Sequence, residues 1–67
     1  MKTVSINGEL KLIPETHNLH NLLQHFEYNA DEIAVSINMT FVSRSQYDKI
    51  HLNDGDKIDI LAAIQGG

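Results

Sequence analysis

The residues best placed to do chemistry lie at the C-terminus, where Ile64-Gln65-Gly66-Gly67 closes a sequence of 67 residues. Glycine has no Cβ, so a Gly66-Gly67 arm is slim enough to enter a channel that side chains would block. Such an arm presents the Gly67 carboxylate as a reactive group at its tip. The sequence contains no cysteine. Covalent chemistry with sulfur or acyl groups must therefore use another atom of this chain, which again singles out Gly67.

Other constellations are weaker. His17 and His20 are three apart, His25 is five further on and His51 is remote. That is not the i,i+4 pair of a helical zinc site, and no metal site is expected. Asn53-Asp54-Gly55-Asp56 lacks the alternating ligands and terminal Glu of a calcium loop and reads as a turn. Asp54 and Asp56 are no glycosidase pair either, since so small a chain cannot enclose a sugar cleft. No Ser-His-Asp set, phosphate-binding glycine loop or H-E-x-x-H sequence is present. The chain is thus expected not to be an enzyme itself.

Alternating residues must build the platform that carries the arm. Val4 and Ile6 alternate with polar neighbours, Asn7-Gly8 suits a tight turn with positive φ, and Glu9 to Leu12 restores the alternation. Residues 2 to 13 therefore read as a hairpin ended by Pro14. Asn18 is a plausible helix cap, although Asn21 stands where a capping box would have Glu or Gln. Leu19, Leu22, Leu23 and Phe26 fall on one face of a helix running to about residue 27. Strands are expected at about 34 to 38 and 41 to 43, around a turn at Asn38 and Met39. A single helical turn is expected within 43 to 47, and Ile50 and Leu52 return to the core.

Lys57 to Ile64 forms the last strand, with Ile58, Ile60, Ala62 and Ile64 on one face and Asp59, Leu61 and Ala63 on the other. So long an apolar strand belongs in the middle of a sheet, because at an edge it would invite aggregation. The expected fold class is α+β, a mixed sheet of four to five strands with one main helix packed on one face. Residues 1–67 form a single domain, with 65–67 a flexible tail. Leu61 and Ala63, with Phe41 or Tyr47, form either an exposed docking patch beside the tail or a second small cluster under residues 43 to 52.

Five basic against nine acidic residues give a formal net charge of −4, with one arginine. An acidic chain without a basic stripe argues against nucleic acid as a partner and mildly for a basic protein surface. No stretch approaches the length of a membrane span, and the start lacks the apolar run of a signal peptide. A cytoplasmic protein is expected.

Asn38-x-x-Phe41-Val42-x-Arg44-Ser45-Gln46-Tyr47, then Leu52-Asn53-Asp54-Gly55-Asp56-Lys57-Ile58 and the Gly-Gly end, closely resemble the ThiS family, the sulfur carriers of thiamine biosynthesis. Asn18-Leu19-x-x-Leu22-Leu23 matches that family's helix start, and the resemblance spans the chain. It implies a ubiquitin-like β-grasp fold, whose last strand runs centrally and parallel to the first. It further implies that a partner adenylating (E1-like) enzyme uses Mg-ATP to activate the Gly67 carboxylate to an acyl-adenylate. A cysteine desulfurase relay then supplies sulfur to make a thiocarboxylate, which donates it to thiazole synthase. No permanently bound cofactor is implied.

In that setting Gly66 and Gly67 carry the chemistry, and Phe41, Tyr47, Leu61, Ala63, Ile64 and Gln65 are the expected partner-binding residues. Two departures stand out: Val42-Ser43-Arg44 replaces the more usual Val-Pro-Arg, and Leu61 to Gln65 is blander than the usual segment before the tail. Competing readings are the related sulfur-carrier subunit of molybdopterin synthase, a ubiquitin-like conjugation tag, and a non-covalent interaction module.

Overall fold

The alternation near the N-terminus becomes two antiparallel strands, β1 (Lys2–Ile6) and β2 (Glu9–Ile13), joined through Asn7 and Gly8 at φ 51° and 86°. Both turn residues are left-handed, as a two-residue hairpin matched to strand twist requires. The computed structural model describes residues 1–62. Ala63, Ile64, Gln65, Gly66 and Gly67 lie outside the described residues.

Helix α1 (Leu19–His25) follows. Asn21 closes the capping box that Glu or Gln usually completes: its backbone N–H donates to the Asn18 side chain at 2.8 Å, and its own side-chain oxygen accepts from the Asn18 N–H at 3.1 Å. Two orphan donors are thereby satisfied. The helix ends sooner than its apolar spacing predicts. Glu27 turns left-handed at φ 63°, the Tyr28 N–H reaches the Leu23 carbonyl at 2.8 Å, and the Glu27 N–H reaches Gln24 at 3.1 Å. This pair of reverse bonds satisfies the last carbonyls and stops the helix.

The polar connection beyond contains a 3-10 turn, Ala30–Glu32, that the sequence did not suggest. Strands β3 (Ile33–Ile37) and β4 (Thr40–Val42) pair antiparallel around left-handed Asn38 and Met39, each beginning one residue earlier than expected. The expected helical turn is Arg44–Gln46, and β5 (Lys57–Ala62) completes the described part.

The strand order is β2-β1-β5-β3-β4, with β5 central, parallel to β1 and antiparallel to β3. Leu19, Leu22 and Leu23 of α1 bury themselves with Val4, Ile6, Ile13, Val35, Ile58 and Ile60 of the sheet. Val42, Tyr47 and Leu52 close the same core, and Ile50 packs partly buried against it. Among the described residues nothing covers the opposite face of the sheet, where Leu10, Leu12, Phe41 and Leu61 are exposed. This is the β-grasp arrangement expected of the chain.

Candidate functional site: the central strand and the open sheet face

Gly66 and Gly67, which the sequence singles out, follow β5 in the chain, and β5 is held from both sides. On one side all five residues of β3 pair with it, Ile33 facing Ala62 and Ile37 facing Ile58. On the other side β1 pairs with β5 only through Ser5 and Ile6, and the hairpin turns away immediately afterwards at Asn7 and Gly8. The Asn7 side chain then takes over the ladder: its oxygen accepts from the Ile60 N–H at 2.8 Å, and its nitrogen donates to the Ile60 carbonyl at 3.2 Å. A carboxamide carries one acceptor and a donor in the geometry of a peptide group, so Asn7 extends β1 without extending its backbone.

The start of β5 is fixed by a second polar cluster. Asp56, 8% exposed, accepts from the Asn38 side-chain nitrogen at 3.0 Å and from the Asn53 N–H at 2.8 Å. Asn38 in turn accepts from the Lys57 N–H at 3.0 Å and donates its own N–H to the Lys57 carbonyl at 2.7 Å. The β3–β4 turn, the Asn53–Asp56 turn and the first residue of β5 are thus tied at one point. In sequence the Asp-Gly-Asp stretch reads as a plain turn, which gives no sign of this role for Asp56.

Beside the far end of β5 lies an apolar patch on the open face. Leu61 is 69% exposed and faces Ala34, while Phe41, 70% exposed, faces Ser36 across the β3–β4 pair. Ala34, Ser36, Phe41, Asp59 and Leu61 line a shallow groove there. Leu61 therefore does not pack under residues 43 to 52. Two large apolar side chains held in water next to the arm-bearing strand form a surface suited to covering by another protein.

Tyr47 does not join them. It is 4% exposed and belongs to the main core, where burial pushes its phenol pKa up against the lowering influence of Arg44. The cause is the Arg44–Gln46 turn, whose geometry carries the next residue inward; the Tyr47 N–H bonds back to Arg44 at 3.2 Å and its carbonyl accepts from His20 at 3.0 Å. Ala62, on the same face of β5 as the buried Ile58 and Ile60, is itself exposed. The expected site residues Ala63, Ile64, Gln65, Gly66 and Gly67 lie outside the described residues.

His20 and His51 are exposed, while His17 and His25 take part in ring packing. His17 and His25 meet edge to face at 5.8 Å and His25 meets Phe26 at 4.8 Å. No group of three or more metal-ligating side chains occurs among the described residues. No helix among them is long and apolar enough to cross a membrane.

Comparison with known proteins agrees with this architecture. The model of the ThiS family matches residues 4–67. An uncharacterized protein, ycf40, of Trieres chinensis is 33% identical over 98% of this chain and 90% of its own length. A thiazole synthase of Paramagnetospirillum magneticum is 37% identical over the whole of this chain, which corresponds to 20% of that protein. Among solved structures, the thiamine biosynthesis protein ThiS of Geobacter metallireducens superposes with a TM-score of 0.83 at 25% identity, covering 97% of this chain and 99% of that one. The chain belongs to the ThiS family and is a sulfur carrier of thiamine thiazole biosynthesis, a protein co-substrate that other enzymes act upon.

Proposed function

We propose that the working group of this carrier is the Gly67 carboxylate, on an arm formed by residues 65–67. A carboxylate oxygen attacks the α-phosphorus of Mg-ATP in a partner adenylating enzyme, pyrophosphate leaves, and the carbonyl carbon gains AMP as a good leaving group. The terminal sulfur of a persulfide, supplied by a cysteine desulfurase relay, attacks that carbon and expels AMP. A second thiol then cleaves the S–S bond and ends as a disulfide, leaving the thiocarboxylate on Gly67. Thiazole synthase accepts that sulfur. Mg-ATP is a substrate of the partner, and no resident cofactor of this chain is needed. Nucleotide and reduced thiols of this kind fit a cytoplasmic setting.

The observation that carries this reading is the anchoring of β5. Held by β3, by β1 and by the Asn7 carboxamide, the strand gives its continuation a fixed point of departure, with Leu61 and Phe41 exposed beside it. In this reading Phe41 and Leu61 form the docking surface, and Ala63, Ile64 and Gln65 lead the arm into the partner's channel. That a thiazole synthase contains a stretch similar to this entire chain supports that enzyme as the acceptor and favours the thiamine branch over molybdopterin synthase.

Deletion of Gly67 tests the reading. The truncated chain should fold normally and support no ATP–pyrophosphate exchange by its cognate adenylating enzyme. Undiminished exchange would refute it.

A further inference from the structure

The outer edge of the sheet carries a second apolar group that the carrier chemistry does not use. Leu10 and Leu12 of β2 are 76% and 64% exposed on the open face, with β1 between them and β5. In a hairpin with a two-residue turn the closing pair, here Ile6 and Glu9, exchanges hydrogen bonds, and the pairs alternate from there. Glu9, Lys11 and Ile13 therefore bond to β1, whereas the backbone N–H and C=O groups of Leu10 and Leu12 point away from it, toward the open edge. A strand edge of this kind is a template for another strand.

We propose that two copies of this chain pair antiparallel through β2, with Leu10 opposite Leu10 at the two-fold axis. Charge and backbone chemistry select this register from its neighbours. Sliding by one step opposes Lys11 to Lys11, and like charges directly opposite are destabilising. Sliding in the same sense by one further step opposes Leu12 to Leu12 but sets Leu10 against Pro14, which has no N–H to give. With Leu10 at the axis, Glu9 of each copy faces Lys11 of the other, which makes two cross-strand ion pairs on the helix side of the sheet.

On the open side Leu12 then faces Gly8 of the second copy. A Cβ at Gly8 would have nothing within 4 Å, and the groove beside it is lined by Thr3, Ser5, Leu10, Lys57 and Asp59. That space receives the Leu12 side chain. The result is a continuous ten-stranded sheet whose two β5 strands point in opposite directions.

Five paired residues per copy bury far less than the roughly 1,200 Å² of a stable interface, so the association is weak and transient. A dissociation constant of the order of 0.1 to 1 mM is expected. Sedimentation equilibrium should show the average mass rising from the monomer toward twice that value as concentration approaches about 1 mM. Glu9→Lys should weaken association about fivefold or more by turning both ion pairs repulsive, and Glu9→Lys with Lys11→Glu should restore it. Thermal unfolding of each variant would show that the monomer fold is kept.

The absence of native cysteine allows a direct reading of register. Opposed residues of a hydrogen-bonded pair have Cα atoms about 5.5 Å apart, within disulfide range. Leu10→Cys should therefore cross-link to itself under mild oxidation, and Leu12→Cys should not. A monomer at every concentration, self-linking at position 12 and not 10, or association unchanged in Glu9→Lys would each overturn the proposal. Monomer throughout, with the β2 amides protected from exchange only by an added adenylating enzyme, would assign the edge to that partner instead.

Discussion

Leu61→Asp separates docking from folding. Fully burying a leucine side chain is worth about 1.5 to 3 kcal/mol. Leu61 is 69% exposed in the free chain, so about 1 to 2 kcal/mol of that gain is still available to an interface that covers it. Truncation to alanine should forfeit about that amount, a loss of about 5- to 30-fold in affinity for the adenylating enzyme. Aspartate should cost more, because covering the site would also strip water from a carboxylate. Folding should change little, within about 1 kcal/mol, since the side chain leaves the core untouched and only strand propensity is altered. Isothermal titration against the adenylating enzyme, beside urea unfolding of the free variant, gives both numbers. Unchanged affinity, or an unfolding cost above about 2 kcal/mol, would refute the assignment of Leu61 to a docking surface.

The remaining predictions concern what positions the site. Leu22→Ala, at a side chain with no exposure, should cost about 2 to 5 kcal/mol in urea unfolding; a change below about 1 kcal/mol would contradict its place under the sheet. Asp56→Ala leaves the Asn38 side-chain nitrogen and the Asn53 N–H without their acceptor and should cost about 2 to 4 kcal/mol, whereas an unchanged midpoint would remove the polar tie at the start of β5. Glu27→Gly should raise the melting temperature, since a side chain in the left-handed region costs about 1 to 2 kcal/mol and glycine's extra freedom returns only part of that; a lower melting temperature would contradict this. Tyr47 has a folded pKa above its unfolded value near 10. Its contribution is therefore complete below pH 10 and is lost as pH rises through the folded pKa, so stability should fall in that alkaline window for the native chain. It should fall less steeply there in Tyr47→Phe; equal slopes would show that Tyr47 is not the group responsible.

Local patterns were enough for much of this fold. Asn7-Gly8 predicts the hairpin, the Leu19, Leu22 and Leu23 stripe predicts the buried helix face, and the apolar run after Asp56 predicts a central strand, because each signal is complete within a few residues. Features that depend on distant partners were not legible. The Asn7 carboxamide serves Ile60, 53 positions away, and in sequence it has only the signature of a turn. Asp56 holds Asn38 across 18 positions. Tyr47 reads as surface in the sequence, since its direction depends on where a short 3-10 turn begins. Leu10 and Leu12 alternate like core residues, yet α1 covers only the other face of β2. The strand pattern identifies the alternation without saying which face is covered.

The most direct test of the carrier assignment is the intact mass of this protein after incubation with its adenylating enzyme, Mg-ATP, a cysteine desulfurase relay and a thiol reductant, with fragmentation to locate any change. Replacement of one oxygen by sulfur, confined to Gly67, is the expected result. An unchanged mass, with the same enzyme active on another carrier, or sulfur found at any other residue, would contradict it.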